Sequence, residues 1–232
     1  MGPLESPRVF AEWLKTLGGL KTFWTKPVEN VDVLPGNPAR LLVSWRARRG
    51  CRRAEIILAL GKNGIDGGGC RLVVTSGVAE GHYPRSVVYV YTTDSRLLEP
   101  NTRVSVEVHE ASGYILGSVE RVQRSSWGFY MPPLPGSMVI LARMHGEPVG
   151  VAYYNPASGN IDYGVHVDRR YWRMRIGTRI LHEARRLALS GGRKWFTVIR
   201  VLRSRRPTAQ DRRAIAFYEA NNPALGFTVY RS

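Results

Sequence analysis

Five arginines, Arg169, Arg170, Arg173, Arg175 and Arg179, crowd one short stretch of this 232-residue chain. Residues 167–181 read as a strand end at Val167, a basic loop and the start of a helix. The chemistry that suits such an arrangement is anion binding. The first turn of a helix has N–H groups without intrahelical acceptors and carries the positive end of the helix dipole, and both hold phosphate. Arginine adds a planar donor fork that matches phosphate oxygens. Gly177, in that first turn, has no side chain to keep a ligand off the backbone. The alternative is a basic helix face turned to water.

Groups able to move protons flank this loop. Asp162 and His166 lie four residues apart on the strand expected over 161–167, so alternation puts both on one face. An imidazole titrates near neutrality unaided, whereas a carboxyl reaches that range only when burial raises its pKa. Each is a candidate general base. Tyr218 sits on a later helix, as an aromatic able to pack against a sheet. His182 and Glu183 read as surface residues of the helix after the loop, and Asp211 as a helix cap.

The elements that must position these groups follow from periodicity. An amphipathic helix is expected over 6–17, with Val9, Phe10, Trp13, Leu14 and Leu17 on one face and Gly18-Gly19 as its stop. Pro27, Pro35 and Pro38 mark residues 20–38 as irregular chain. Strands are expected at 40–45, 54–60, 71–75, 86–92, 103–109 and 115–122, most of them rich in Val, Ile and Tyr. Residues 61–69 place Lys62 in a glycine-rich loop, but the GxxxxGK[ST] order is absent, which favours a hairpin connection. The Pro- and Gly-dense residues 125–137 suggest a boundary, dividing the chain into a β-rich region over 1–135 and a second domain over 136–232. Beyond it, strands at 138–144, 148–154 and 161–167 precede a helix at 176–189, a strand at 195–202, a helix opening at Thr208 and a strand at 227–230. Thr208 and Asp211 have capping-box spacing.

Composition sets the outer limits. Hydrophobic residues are 44% and charged residues 22%, which fits a folded chain and excludes wholesale disorder. No apolar run reaches the length of a membrane span, and residues 1–10 lack the pattern of a secretion signal, so a cytoplasmic protein is expected. Cys51 and Cys70 form no CxxC pair, and neither a zinc site nor a disulfide framework is expected. The formal net charge is +16, and only five of the 34 basic residues are lysine. Residues 1–135 carry net +5 and residues 136–232 net +11, a field that attracts polyanions such as nucleic acid, a phosphorylated cofactor or an acidic protein. Arg200, Arg203, Arg205, Arg206, Arg212 and Arg213, with Trp127, Phe129 and Tyr130 as stacking groups, keep a nucleic-acid-binding module open.

Two motifs in order resemble the GNAT superfamily of N-acetyltransferases. Val167 and the segment Ile176-Gly177-Thr178-Arg179-Ile180-Leu181 are similar to that family's Q/R-x-x-G-x-G/A loop, with Trp172 at the Gln/Arg position and Arg175 at the first Gly. Residues 211–219, DRRAIAFYE, followed by Leu225-Gly226-Phe227, are similar to its N-x-x-A-x-x-F-Y-E…G-F segment, with Asp211 in place of Asn. The resemblance covers residues 137–230. It implies an α+β fold, a mixed and mostly antiparallel sheet flanked by helices, here with an additional β-rich N-terminal region whose strands complete the sheet. It also implies direct transfer of acetyl from acetyl-CoA to an amine acceptor. The cofactor would lie on Trp172, Arg173, Met174, Arg175, Ile176, Gly177 and Thr178 and on the main chain at Val165 and Val167. Tyr218 matches the family's proton donor, with Asp162 or His166 as base. A degenerate fold that has lost the cofactor and serves as a scaffold is the other reading left open by Trp172 and Arg175.

Overall fold

The computed structural model describes the backbone of residues 28–34, 39–47, 50–58, 60–61, 64–65, 70–74, 84–202, 207–223 and 225–230, with side chains over 87–202 and 207–223. The strands in chain order are β1 (Val28–Leu34), β2 (Ala39–Ala47), β3 (Gly50–Leu58), β4 (Leu60–Gly61), β5 (Gly64–Ile65), β6 (Cys70–Val74), β7 (Pro84–Thr92) and β8 (Ser105–Glu110). Helix α1 (Gly113–Trp127) leads to β9 (Met138–Met144), β10 (Glu147–Asn155) and β11 (Asn160–Val167). Then come α2 (Ile176–Ser190), β12 (Trp195–Val201), α3 (Ala209–Ala220) and β13 (Leu225–Tyr230). The chain divides into two compact units, one of residues 1–89, 201–215 and 223–232, the other of residues 90–200 and 216–222.

In the first unit β1, β2, β3 and β6 pair antiparallel in that order, and β13 runs parallel to β6 through Phe227↔Cys70 and Thr228↔Arg71. The strand β1 corrects the expectation of irregular chain over 20–38: Pro27 and Pro35 bound it rather than exclude it, as residues that cannot donate to a ladder do at strand ends. Strand β4 pairs β5 antiparallel through Leu60↔Ile65 and Gly61↔Gly64, while Lys62 lies outside the described residues. The helix expected over 6–17 and the side chains of Cys51 and Cys70 lie outside the described residues.

The second unit holds the candidate chemistry. Its strands lie in the order β7-β12-β11-β10-β9-β8, a mixed six-stranded sheet flanked by helices. The β8/β9, β9/β10 and β10/β11 pairs are antiparallel, and β11 meets β12 in parallel. Residues 115–122, expected as a strand, are helical and belong to α1. Ile115, Val119, Val122, Gln123, Ser126 and Trp127 are its buried residues, spaced at three and four, so a helical stripe overrides the β propensity of Ile and Val. Gly128, left-handed with φ 85, ends the helix, its N–H donating to the Arg124 carbonyl. Strand β8 and α1, both upstream of the turn-rich residues 125–137, thus form one unit with β9–β12.

The two helices lie on opposite faces. On β10, a Cβ at Gly150 would touch Ile176 and Ile180 of α2 and Ala142 of β9, so Gly150 and Ala142 face α2. The next residue, Val151, points the other way and pairs with His166, whose ring stacks on Trp127 of α1 at 4.8 Å. Ile176, Ile180, Leu181, Ala184 and Ala188 of α2 are all buried. Burial of each large apolar chain in such a layer is worth about 1.5–3 kcal/mol.

Candidate functional site

A break in β11 organises the site. Tyr163 (φ 63) and Gly164 (φ 84) are consecutive left-handed residues inside the strand. Asp162 pairs with Tyr153 and His166 with Val151, so four steps on β11 match two on β10. Two extra residues bulge out, and because two is a whole pleat, Asp162 and His166 still share the α1 face. The parallel pairing of β11 with β12 covers Asn160↔Thr197 and Ile161↔Val198, before the bulge. Past it, the Val165 N–H donates to the Tyr218 hydroxyl at 2.8 Å. A Cβ on Gly164 would lie 2.7 Å from that hydroxyl and 3.3 Å from Cδ of Arg200, so glycine is needed for both its conformation and its close approach.

Tyr218 is fully buried. The Tyr91 hydroxyl donates to its carbonyl at 2.8 Å, and the Tyr91 ring stacks on Phe196 at 5.1 Å. Burial raises the pKa of Tyr218, while the Arg200 charge and the Val165 N–H pull the other way. In accepting from Val165, the phenol uses an oxygen lone pair and not its proton. Arg200 is itself buried, with its guanidinium carbon 4.5 Å from the centroid of Trp127. Desolvation and the Arg200 charge hold His166 well below the usual imidazole range, so it is neutral near pH 7. Asp162 shows the opposite shift: burial pushes its carboxyl up to about 7, and its Oδ2 has no hydrogen-bond partner among the described residues.

The basic loop runs from β11 to α2 through a short 3-10 turn, Arg169–Tyr171. Asp168 caps this turn by accepting from the Arg170 N–H at 3.0 Å, and its carboxylate pairs with the Arg170 guanidinium at 2.8 Å. Those bonds hold the Asp168 carboxyl down at about 2. The Trp172 indole N–H donates to the Val167 carbonyl at 2.8 Å, closing the loop on the strand end. Arg173 (φ 66) and Arg175 (φ 54) are left-handed, a conformation that costs a non-glycine residue about 1–2 kcal/mol. The Asn101 side chain holds the Met174 carbonyl at 2.9 Å, and Arg175 stands at the N-cap of α2. Arg173, Met174 and Arg175 are exposed, whereas Ile176, Gly177 and Thr178 are buried. The loop therefore presents two arginines and the start of α2 together, a donor set that fits phosphate groups.

A family model described as "Acetyltransferase (GNAT) family" matches residues 110–222. Those residues are a GNAT acetyltransferase domain. Among solved structures, a GCN5-related N-acetyltransferase from Kribbella flavida is 13% identical, covering 99% of this chain and 95% of that one, with a TM-score of 0.43. A GCN5-related N-acetyltransferase from Sphaerobacter thermophilus is 15% identical over 78% of each chain, with a TM-score of 0.40. A functionally unknown protein from Staphylococcus epidermidis ATCC 12228 is 16% identical, with a TM-score of 0.45, over 68% of this chain and 66% of that one. No curated protein matches the chain significantly.

Within the GNAT domain several residues stand differently from their sequence reading. Gly177 does not open the backbone to a ligand on its side-chain face: a Cβ there would meet the Phe217 ring at 2.7 Å, so glycine serves the packing of α3 on α2. Thr178 turns its hydroxyl to Asn221 Oδ1, at 3.2 Å and buried. Glu183 is buried and pairs with Arg186, and His182 bonds the Leu98 carbonyl at 2.9 Å. Asp211, by contrast, caps α3 as its spacing predicts, accepting from the Thr208 N–H at 3.0 Å while its own N–H donates to Thr208 Oγ1 at 3.1 Å. Arg200 and Trp127 are interior residues and drop out of the basic and aromatic surface expected for nucleic acid, and residues 203–206 lie outside the described residues. Sequence reasoning passed over Gly164 and Arg200 as site residues. A glycine inside a strand pattern is a bulge signal and would have found the first; nothing local marks the second. No helix among the described residues is long and apolar enough to cross a membrane, and no group of three His, Cys, Asp or Glu there stands ready for a metal.

Proposed function

We propose that this protein is an acetyl-CoA-dependent N-acetyltransferase that moves acetyl directly to an amine. The observation that carries this reading is the bulge in β11, where the Val165 N–H and the Tyr218 hydroxyl meet 2.8 Å apart in the interior of the domain. Acetyl-CoA, when bound, supplies the thioester whose acetyl group is transferred. The fit of the cofactor rests on the loop: Arg173 and Arg175 with the first turn of α2 hold its phosphates, while Trp172 keeps the loop against the end of β11. The main chain at Val165 and Val167 faces its thioester arm.

The protein's own groups divide the proton work. Asp162, with its carboxyl at about 7, takes the proton of the acceptor ammonium and releases a nucleophilic amine near neutral pH. His166, already neutral and held there by desolvation and Arg200, is the weaker base and shapes the acceptor side with Trp127. The main chain past the bulge faces the carbonyl on whose oxygen negative charge develops, the Val165 N–H being held by the Tyr218 hydroxyl. Tyr218 gives its phenolic proton to the leaving sulfur as the carbon–sulfur bond breaks.

Calorimetry with acetyl-CoA tests the reading, with desulfo-CoA as competitor. Stoichiometric micromolar binding is expected, weakened at least roughly tenfold in the Arg173→Ala/Arg175→Ala double variant, about 1.4 kcal/mol. Absence of binding at millimolar acetyl-CoA would leave the domain a scaffold on an acetyltransferase fold, as Trp172 and Arg175 in the loop allow.

A further inference from the structure

Arg200 is a positive charge in the interior, 2% exposed, and its part in the centre goes beyond the neutral state of His166. Its placement is specific. The guanidinium sits on the Trp127 ring of α1 at 4.5 Å, and that ring also meets, in tilted contact, His166 at 4.8 Å and Phe129 at 4.0 Å. Its Cδ and the Tyr218 hydroxyl close on the same point from two sides, 3.3 and 2.7 Å from a Cβ built on Gly164. The stem of Arg200 therefore lies against the bulge, and its charge rests on the Trp127 ring that also contacts His166. Burying a guanidinium is costly, and a site that keeps one beside a buried phenol uses it to favour negative charge there.

We propose that Arg200 is a positioning residue of this centre: its buried guanidinium, seated on Trp127, is the fixed positive charge that favours proton release from Tyr218 and keeps His166 neutral beside it. The proposal rests on the acetyltransferase reading for its catalytic half, while its electrostatic half stands without it. The directions of the two shifts agree, since Arg200 opposes the upward push of burial on Tyr218 and adds to the downward push on His166. The other buried titratable groups on β10 and β11 are Asp162 and Tyr163 of β11 and Tyr153 and Tyr154 of β10, while Glu147 of β10 is exposed. Helix α1 turns Gln123 and Trp127 inward, while its Arg121 and Arg124 are exposed. Among these, Arg200 is the cation that acts on both groups.

The experiment uses the full chain with Arg200→Met, which keeps length without charge, and Arg200→Lys, which keeps the charge. Nuclear magnetic resonance follows the His166 ring through a pH titration, with no cofactor present. In the native protein and in Arg200→Lys the ring is expected to stay neutral well below the usual imidazole range. In Arg200→Met its titration moves up by about one pH unit, as loss of a unit charge at this range predicts. With acetyl-CoA and any amine that proves to be an acceptor, Arg200→Met lowers kcat at least roughly tenfold with KM for acetyl-CoA little changed, and Arg200→Lys restores most of it. Its pH–kcat profile loses the alkaline fall in the accessible range, because a Tyr218 without the neighbouring charge keeps its proton to higher pH. An unmoved His166 titration in Arg200→Met, or equal rate losses in the Met and Lys variants, overturns the proposal. If Arg200→Met does not fold, the native titration decides: a His166 that charges near pH 6.5 refutes the assigned role. Failure to bind acetyl-CoA, by contrast, removes the acetyltransferase reading and leaves the His166 result standing.

Discussion

Replacing Gly164 by alanine tests whether the bulge and Tyr218 are built against one another. Two costs are legible in the structure. Alanine at φ 84 pays the left-handed penalty, about 1–2 kcal/mol. Its Cβ would also lie 2.7 Å from the Tyr218 hydroxyl, well inside contact distance. The ring has little room to withdraw: Tyr218 is fully buried, and the Tyr91 hydroxyl holds its carbonyl. Either the phenol shifts and leaves the Val165 N–H unpaired in the interior, about 1–3 kcal/mol, or the core strains by a similar amount. The total is roughly 2–5 kcal/mol, the sum of those two costs. Gly128 supplies the control. Its φ is 85, and an added Cβ there meets nothing within 4 Å, so Gly128→Ala carries the backbone cost alone. Urea unfolding followed by circular dichroism gives both losses, and hydrogen exchange at the Val165 amide reports the bond itself. Gly164→Ala is expected to lose at least about 1 kcal/mol more than Gly128→Ala, with faster exchange at Val165. Equal losses in the two variants would refute the argument that the hydroxyl fills the space a Cβ needs.

Tyr218→Phe is expected to lower the acetyl-transfer rate at least roughly tenfold, about 1.4 kcal/mol of barrier, with acetyl-CoA affinity intact by calorimetry; unchanged turnover removes Tyr218 from the mechanism. Folded Asp162 keeps its proton to about pH 7, whereas the unfolded carboxyl loses its own near 3.8, so the unfolded chain binds fewer protons across that window and stability falls as pH rises through it. Asp162→Asn should therefore gain stability relative to the native protein on going from pH 4 to pH 7, read from urea midpoints, and should abolish any rate inflection near pH 7. Identical pH slopes for the two proteins would contradict the buried carboxyl. Gly177→Ala should destabilise by about 1–3 kcal/mol through the Phe217 ring, outweighing the gain of about 1 kcal/mol that alanine brings to a helix; a more stable variant would show that the ring moves aside freely.

Residues 115–122 show where reading from composition fails. Ile115, Val119 and Val122 are β-branched, yet their spacing is that of a helix stripe, and the sheet face they cover rewards the stripe. The opposite case is α2, whose apolar spacing and Gly191 stop are local, and whose structured range, Ile176–Ser190, runs one residue past the 176–189 its pattern marks. The capping box at Thr208 and Asp211 is equally local, since both partners lie within one turn.

By itself the sequence determined the order of strand, basic loop and helix, the two motifs in series that mark the GNAT domain, and the alternation that puts Asp162 and His166 on one face. Each of these depends on neighbours within a few residues, and periodicity carries that much. The tertiary structure decided the rest: the helical state of α1, the role of Gly177 as a seat for Phe217, the contact of Tyr218 with Val165 across 53 residues, and the burial of Arg200 on Trp127. It also decided that Asp162 lies in the interior, with its carboxyl pushed up to about 7. A pKa is set by the water a group loses and the charges it gains. Both come from residues far away in the chain, which no local pattern brings together.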